Sequence, residues 1–244
     1  MLPNKKLVPL FTADARAHRL SIQKILENNS YLASMGGIFP IIQVQRKNKA
    51  LQLCMAGTTY IGLKRYINHG SVVNTDFFVD IYADAKISDH FLMRLGTGHT
   101  SQHLSDDAIV NGGIFTNYAR DYHQLFGIYK NNKYRLFVYG GGLFNYNFKV
   151  DTIDISNKFL FQFGFEHVPF KLGSNQYIFY AADFKWREEL NYRSTQHYQF
   201  GYKYQKNGLR ALRIAYNYST GVEERGQFYK QNITFSSIGL YLDF

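Results

Sequence analysis

The feature that most constrains this chain is a period-two alternation of apolar and polar residues, carried through long segments and repeated almost to the end of the sequence. In the stretch 76–87, Phe77, Val79, Ile81, Ala83, Ala85 and Ile87 share one face of an extended chain, with Asp76, Asp80, Asp84 and Lys86 on the other. Phe159, Phe161, Phe163 and Phe165 alternate with Lys158, Gln162 and Glu166. Ile178, Tyr180, Ala182, Phe184 and Trp186 oppose Asp183, Lys185, Arg187 and Glu189, and the following run sets Tyr198, Phe200, Tyr202 and Tyr204 against His197, Gln199, Lys203 and Gln205. Strands of soluble proteins average roughly 5–6 residues, whereas a strand crossing a bilayer at its usual tilt needs about 9–11. The segments here reach or exceed the second length. The expected fold is therefore all-β: a single transmembrane antiparallel β-barrel of outer-membrane type.

Composition agrees. The 20 Tyr and 21 Phe favour strands, and only 4 Pro interrupt the ladders. The mean hydropathy of −0.30 is low because only alternate residues of a barrel meet lipid. The net charge of +10 admits anionic partners. Its Lys and Arg are scattered one or two per segment, which argues against nucleic acid. The single Cys54 excludes an internal disulfide and reads as a plain wall residue. The opening Met1-Leu2-Pro3-Asn4-Lys5-Lys6 lacks the apolar core of a secretory leader, so the membrane reading implies a leader already removed.

Segment counting predicts about 12 strands, at 15–27, 32–46, 50–65, 73–87, 90–104, 117–130, 134–148, 157–170, 175–191, 195–206, 209–221 and 228–244. Residues 1–14 read as an N-terminal periplasmic segment and 15–244 as the barrel. The turns at Lys47-Asn48-Lys49, Ser88-Asp89, Asn131-Asn132-Lys133, Leu172-Gly173-Ser174 and Asn207-Gly208 are tight, and most of the intervening links are longer. Short periplasmic turns opposite longer outer loops are the expected asymmetry of an outer-membrane barrel. The last strand closes on Leu240, Leu242 and Phe244, the pattern of an assembly signal read by the barrel-assembly machinery.

Inward-facing charges predict a filled lumen. Asp80, Asp84, Arg94, Asp183, Lys185, Arg187, Glu189 and Arg213 should pair there into a buried network, with a narrow polar channel as the alternative. No Gly-rich phosphate loop and no HExxH or EF-hand spacing occurs. The one dense polar cluster is 98–107, at the outer end of the fifth segment. Its alternation puts His99, Ser101 and His103 on the lipid side, continuing from Phe91, Met93 and Leu95. A His and a Ser two apart on one strand face are the minimum for a base-activated hydroxyl nucleophile.

That His-x-Ser pair resembles outer-membrane phospholipase A and the lipid A deacylase barrels. The resemblance implies lipid-ester hydrolysis from the lipid-facing wall, with Ser101 as nucleophile and His99 as base. These families add a residue that orients the His, for which Asn111, Asn117, Asp106 and Asp107 are the candidates, and Ca²⁺ is the cofactor to consider. A wider resemblance, to the family called domain of unknown function 1207, rests on four motifs spread over residues 8–150. They are Val8-Pro9-Leu10-Phe11-Thr12-Ala13-Asp14 with Arg16 and Arg19; Asn74-Thr75-Asp76-Phe77; His99-x-Ser101-x-His103-Leu104-x-Asp106-Asp107; and Asn117-Tyr118 with Arg120 and Asp121. It implies a bacterial outer-membrane protein and departs from the family pattern at Gln102, Ser105 and Asp107.

The leading expectation is an outer-membrane barrel with a structural or accessory role, in contact with membrane lipid, lipopolysaccharide and other outer-membrane proteins. In that reading His99, Thr100, Ser101 and Gln102 form a polar belt on the headgroups, and Asp106 and Asp107 hold a divalent metal ion between phosphates. The sharper alternative is the lipid esterase.

Overall fold

The computed structural model describes residues 3, 5–67, 69–206 and 210–243. Thirteen strands follow in chain order: β1 (Leu20–Ile25), β2 (Ser30–Arg46), β3 (Lys49–Arg65), β4 (Gly70–Lys86), β5 (Phe91–Leu104), β6 (Tyr118–Asn131), β7 (Leu136–Val150), the two-residue β8 (Ile153–Asp154), β9 (Phe159–Gly173), β10 (Gln176–Arg187), β11 (Arg193–Lys206), β12 (Arg210–Val222) and β13 (Asn232–Asp243). A five-residue helix, α1 (Asp106–Val110), follows β5. Every strand pairs antiparallel with its neighbours, and β1 against β13 closes the ring from Leu20↔Leu242 to Ile25↔Ser237. β8 only extends the β7 hairpin, so twelve strands form the wall. Closure leaves no unpaired edge, which the hydrocarbon of a bilayer would penalise.

The alternation becomes two faces. Phe77, Val79, Ile81, Phe91, Met93, Leu95, Phe159, Phe161 and Phe163 are exposed on the outside, while Asp76, Asp80, Asp84, Arg94, Gln162, Asp183, Lys185 and Arg213 are buried inside. This inversion of a soluble core follows from the solvent: lipid outside, a polar interior within. Leu240 and Leu242 lie on the outer face of β13, and Phe244 lies outside the described residues, as does the Asn207-Gly208 turn.

The strand boundaries differ from the sequence expectation mainly at the start. β1 begins at Leu20, because residues 11–17 turn back on themselves through Asp14 N–H to Phe11 O (3.1 Å) and Ala17 N–H to Asp14 O (3.2 Å). The stretch before β1 fills the lumen. Phe11 stacks on Tyr139 at 3.7 Å between centroids and meets the edge of Phe126 at 5.2 Å. Arg19, fully buried, donates to the carbonyls of Thr12 and Asp14, each at 2.7 Å, which holds the turn closed.

Charges of this segment complete those of the wall. Arg94 forks onto Asp84 at 2.7 and 2.8 Å, Arg187 lies 3.9 Å from Glu189, and Arg213 forks onto Asp243 at 2.6 and 2.9 Å. Asp80 takes His18 at 2.7 Å, and Asp76 takes Arg16 at 2.9 Å. Lys185 bridges Asp14 (2.6 Å) and Glu224 (2.5 Å), and lies 3.7 Å from Asp183. Cys54 is buried on the inner face with Ile38, Ala56 and Tyr82.

Candidate functional site

β5 runs from a short turn toward the long loop that carries α1, and its outward side chains change character on the way. Phe91, Met93 and Leu95 are apolar; Thr97, His99, Ser101 and His103 are polar. The register sets His99 between Val79 of β4 and Asp121 of β6, and Ser101 between Phe77 and Ala119. All of these residues share the outer face.

Two hydrogen-bonded pairs result. His99 Nδ1 lies 2.6 Å from Asp121 Oδ1, and the other oxygen of that carboxylate accepts from Asn147 Nδ2 at 2.7 Å. Ser101 Oγ lies 2.6 Å from His103 Nε2, while the His103 ring packs edge-on to Phe77 at 6.0 Å. The sequence reading joined Ser101 to His99; in the structure the hydroxyl is bonded to His103, two residues further along the same face. The carboxylate behind His99 is Asp121, none of the four residues weighed for that place. Both ring nitrogens named here are the ones facing their partners, so each imidazole keeps its remaining nitrogen for a proton or a substrate atom.

His99 Nδ1 meets none of the sequence candidates for orienting it. Asn117 donates its backbone N–H to Asp151 at 2.8 Å, and the Asn111 side chain donates to the Asp107 carbonyl at 2.6 Å. Asp107 accepts from Ser71 at 3.0 Å, and Asp106 opens the first turn of α1, where Ser105 caps the helix. Among the described residues no group of three His, Cys, Asp or Glu side chains is arranged to hold a metal ion.

Thr100 and Gln102 correct the polar-belt expectation. Both are buried on the inner face, Gln102 Nε2 donating to Thr100 Oγ1 at 3.3 Å, so neither side chain faces headgroups. Strict alternation requires this: only odd-numbered residues of this segment point outward. Asp121 and Asn147, on β6 and β7, were out of reach of a search within one segment, and His103 was placed on the outer face without being named as the partner of Ser101. The available signal was the family motif, which carries both His103 and Asp121.

Gly98, between the apolar and polar halves of β5, faces inward, where Asp80 and the Tyr122 ring occupy its side-chain space. A Cβ there would come within 2.2 Å of Asp80 Oδ1 and 2.7 Å of the Tyr122 ring. The close approach lets Tyr122 and Gln124 donate to Asp80 at 3.0 and 2.8 Å directly behind the patch.

Two solved structures of similar architecture are bacterial outer-membrane phospholipases. The outer membrane phospholipase (OMPLA) dimer of Salmonella typhi with bound calcium is similar with a TM-score of 0.59 and 13% identity, over 93% of this chain and 90% of that one. Outer membrane phospholipase A of Escherichia coli is similar with a TM-score of 0.58 and 12% identity, over 93% and 96%. At such identities the likeness concerns the fold. No curated protein sequence matches. The family model described as "Protein of unknown function (DUF1207)" matches residues 2–244, and the chain, a closed twelve-stranded barrel of outer-membrane type, belongs to that family.

Proposed function

We propose that the protein sits in the bacterial outer membrane and hydrolyses lipid esters at the outer face of its wall, with Ser101 as the nucleophile. The observation that carries this reading is the 2.6 Å contact between Ser101 Oγ and His103 Nε2 on a face that continues an apolar, lipid-directed strip. A serine hydroxyl becomes a useful nucleophile when an imidazole within hydrogen-bond reach takes its proton. The His99–Asp121–Asn147 relay beside it supplies a second, carboxylate-backed imidazole.

In this reading Ser101 Oγ attacks the ester carbonyl carbon as His103 accepts the hydroxyl proton. The tetrahedral intermediate expels the lipid alkoxide, which takes a proton from an imidazolium. Water then attacks the acyl-serine as the neutral His99 takes a proton from it; the bond from the acyl carbon to Oγ breaks, Oγ takes its proton back from His103, and the fatty acid leaves. His99, steadied by Asp121, is placed to protonate the leaving alkoxide. The substrate reaches the site laterally from the bilayer, since the patch stands on the outer wall. The loop lengths support an outer-leaflet position for the patch, since β5 ends at the long 105–117 connection and outer-membrane barrels carry their longer loops on the outer side. Contact with lipopolysaccharide belongs to the same proposal.

The test is fatty-acid release from phospholipid and from lipid A in mixed micelles, with and without Ca²⁺. Wild type should release fatty acid and Ser101→Ala should not; release unchanged in Ser101→Ala, or none from wild type under any condition, rejects the hydrolase. Comparing His103→Ala with His99→Ala assigns the base: the greater loss should fall on His103.

A further inference from the structure

A cavity of about 380 Å³ opens at the short-turn mouth of the barrel, between the N-terminal segment and strands β6, β7, β9, β11 and β12. Lys6, Lys130, Arg135 and Lys203 line it, against two carboxylates, Glu166 and Asp243. Both carboxylates are committed. Glu166 is bound by Lys203 at 2.7 Å, and Asp243 by the Arg213 fork at 2.6 Å. No carboxylate of the described residues lies in ion-pair contact with Lys130 or Arg135, so the cavity carries a surplus of positive charge.

The charge of the whole chain leans the same way. Arg46, Lys47, Lys49, Lys133, Lys206 and Arg210 stand at or beside the short turns, where Asp89, at 2.7 Å from Lys86, is the acidic residue. At the opposite end Lys149, Lys158, Arg193, Arg225 and Lys230 are offset by Asp106, Asp107, Asp151, Asp154, Glu223 and Glu224, so no such surplus stands there. The surplus at the short turns draws anions toward that mouth and into the cavity where Lys130 and Arg135 converge. The cavity also has an apolar side, formed by Leu7, Leu136, Phe137 and Val168, which suits a phosphate carried on an organic body.

We propose that this vestibule binds a phosphate group, held by Lys130 at the end of β6 and Arg135 of the turn that follows it. The phosphate comes either from an anionic phospholipid headgroup of the adjacent leaflet or from a free phosphate compound. The site stands apart from the Ser101 patch and does not depend on it.

The experiment titrates the full chain in maltoside micelles with inorganic pyrophosphate and, separately, with short-chain phosphatidylglycerol, using short-chain phosphatidylcholine as the zwitterionic control. Binding of at least one anionic probe is expected, weakened about tenfold or more by Lys130→Gln with Arg135→Gln, since both charge-assisted hydrogen bonds to the phosphate are lost. Preference for pyrophosphate assigns a free phosphate compound, and preference for phosphatidylglycerol assigns the headgroup. Arg135 is an exposed turn residue, so Arg135→Gln alone gives a folded variant, checked by the mobility shift on boiling, and should weaken binding severalfold. Lys47→Gln with Lys133→Gln, on the rim outside the cavity, should leave binding unchanged. The proposal is overturned if neither probe binds, if the cavity variants bind like wild type, or if the rim variant loses as much as the cavity variant.

Discussion

The Asp14 carboxylate lies 2.6 Å from the Lys185 ammonium, joining residues 171 apart in the chain inside the lumen. The same ammonium reaches Glu224 at 2.5 Å, and Glu224 in turn meets His197 at 2.9 Å. The segment before β1, the wall and the long loop after β12 are thus knotted at one buried cation. The knot gives the lumen segment a fixed position, because each charge is satisfied only when all three parts are in place.

Lys185→Met keeps the length of the side chain and removes the charge, leaving Asp14 and Glu224 buried beside each other. Stranding one partner of a buried ion pair costs about 3–5 kcal/mol. The variant should lose its resistance to unfolding in SDS at a temperature well below that of the wild type. Asp14→Asn, which leaves Glu224 to compensate Lys185, should lose less. Gel mobility across a temperature series reads both.

Acid should release the same knot. Burial works against the carboxylates of Asp14 and Glu224, but Lys185 beside both, with His197 on Glu224, outweighs it and holds both below their ordinary values of 3.8 and 4.5. Lowered carboxylates contribute stability that is complete above the unfolded-state values and is lost as pH falls through the folded ones. The share of stability that depends on these two carboxylates, read as the difference in urea or thermal midpoint between wild type and Lys185→Met, should therefore stay constant from neutral pH down to about 4.5 and decline below it. A difference that falls already between pH 7 and 5 would assign the loss to histidines instead.

The outward and inward faces were legible from alternation alone, because one period places Phe77 and Asp80 on opposite sides whatever their neighbours do. Strand partners were not legible. His99 meets Asp121 because a connection of thirteen residues, 105–117, sets the β5–β6 register, and nothing in either strand by itself states that register. Ser101 and His103 were both visible on one face, but the choice between His99 and His103 as its partner depends on side-chain rotamers. The lumen segment was hidden for a different reason. Residues 7–19 have no period to read, since they are buried or half-buried without alternation inside a wall built from the rest of the chain.

Filling of the lumen by that segment predicts electrical silence. Phe11 stacked on Tyr139 at 3.7 Å, with Val8, Phe126 and Phe137 around it, occludes the bore with apolar contacts as well as charge. Wild-type protein inserted in planar bilayers should show no stepwise conductance, and a chain lacking residues 1–19 should show steps. Steps of the same size in both would mean that the segment does not block the pore.

Gly98→Val should unfold the barrel locally behind the patch. Its Cβ would meet Asp80 Oδ1 at 2.2 Å and the Tyr122 ring at 2.7 Å, and the branched methyls would add to the clash. Overpacking of this kind costs about 1–3 kcal/mol, and displacing Asp80 also breaks its contact with His18 at 2.7 Å. A lower melting temperature is expected. Thr97→Val, on the outer face of the same strand, loses one hydrogen bond to the Tyr122 carbonyl (3.0 Å) and should change it far less.

Asp121 offers the cleanest separation of a working relay from an ornamental surface pair. Its carboxylate touches His99 at 2.6 Å and Asn147 at 2.7 Å, and the His99 side chain is 53% exposed, so the relay adds little to folding stability. If His99 serves hydrolysis as proposed, Asp121→Ala leaves an imidazole without the group that fixes its ring and steadies its imidazolium. Fatty-acid release should then fall by about 10²-fold, the scale of a lost general acid–base contribution, with thermal stability nearly unchanged. Asp121→Asn retains an acceptor for the His99 ring and should recover part of the rate. Release assays and melting curves on the same preparations distinguish the outcomes: equal loss in both measurements makes Asp121 structural, and no loss in either removes His99 from the reaction.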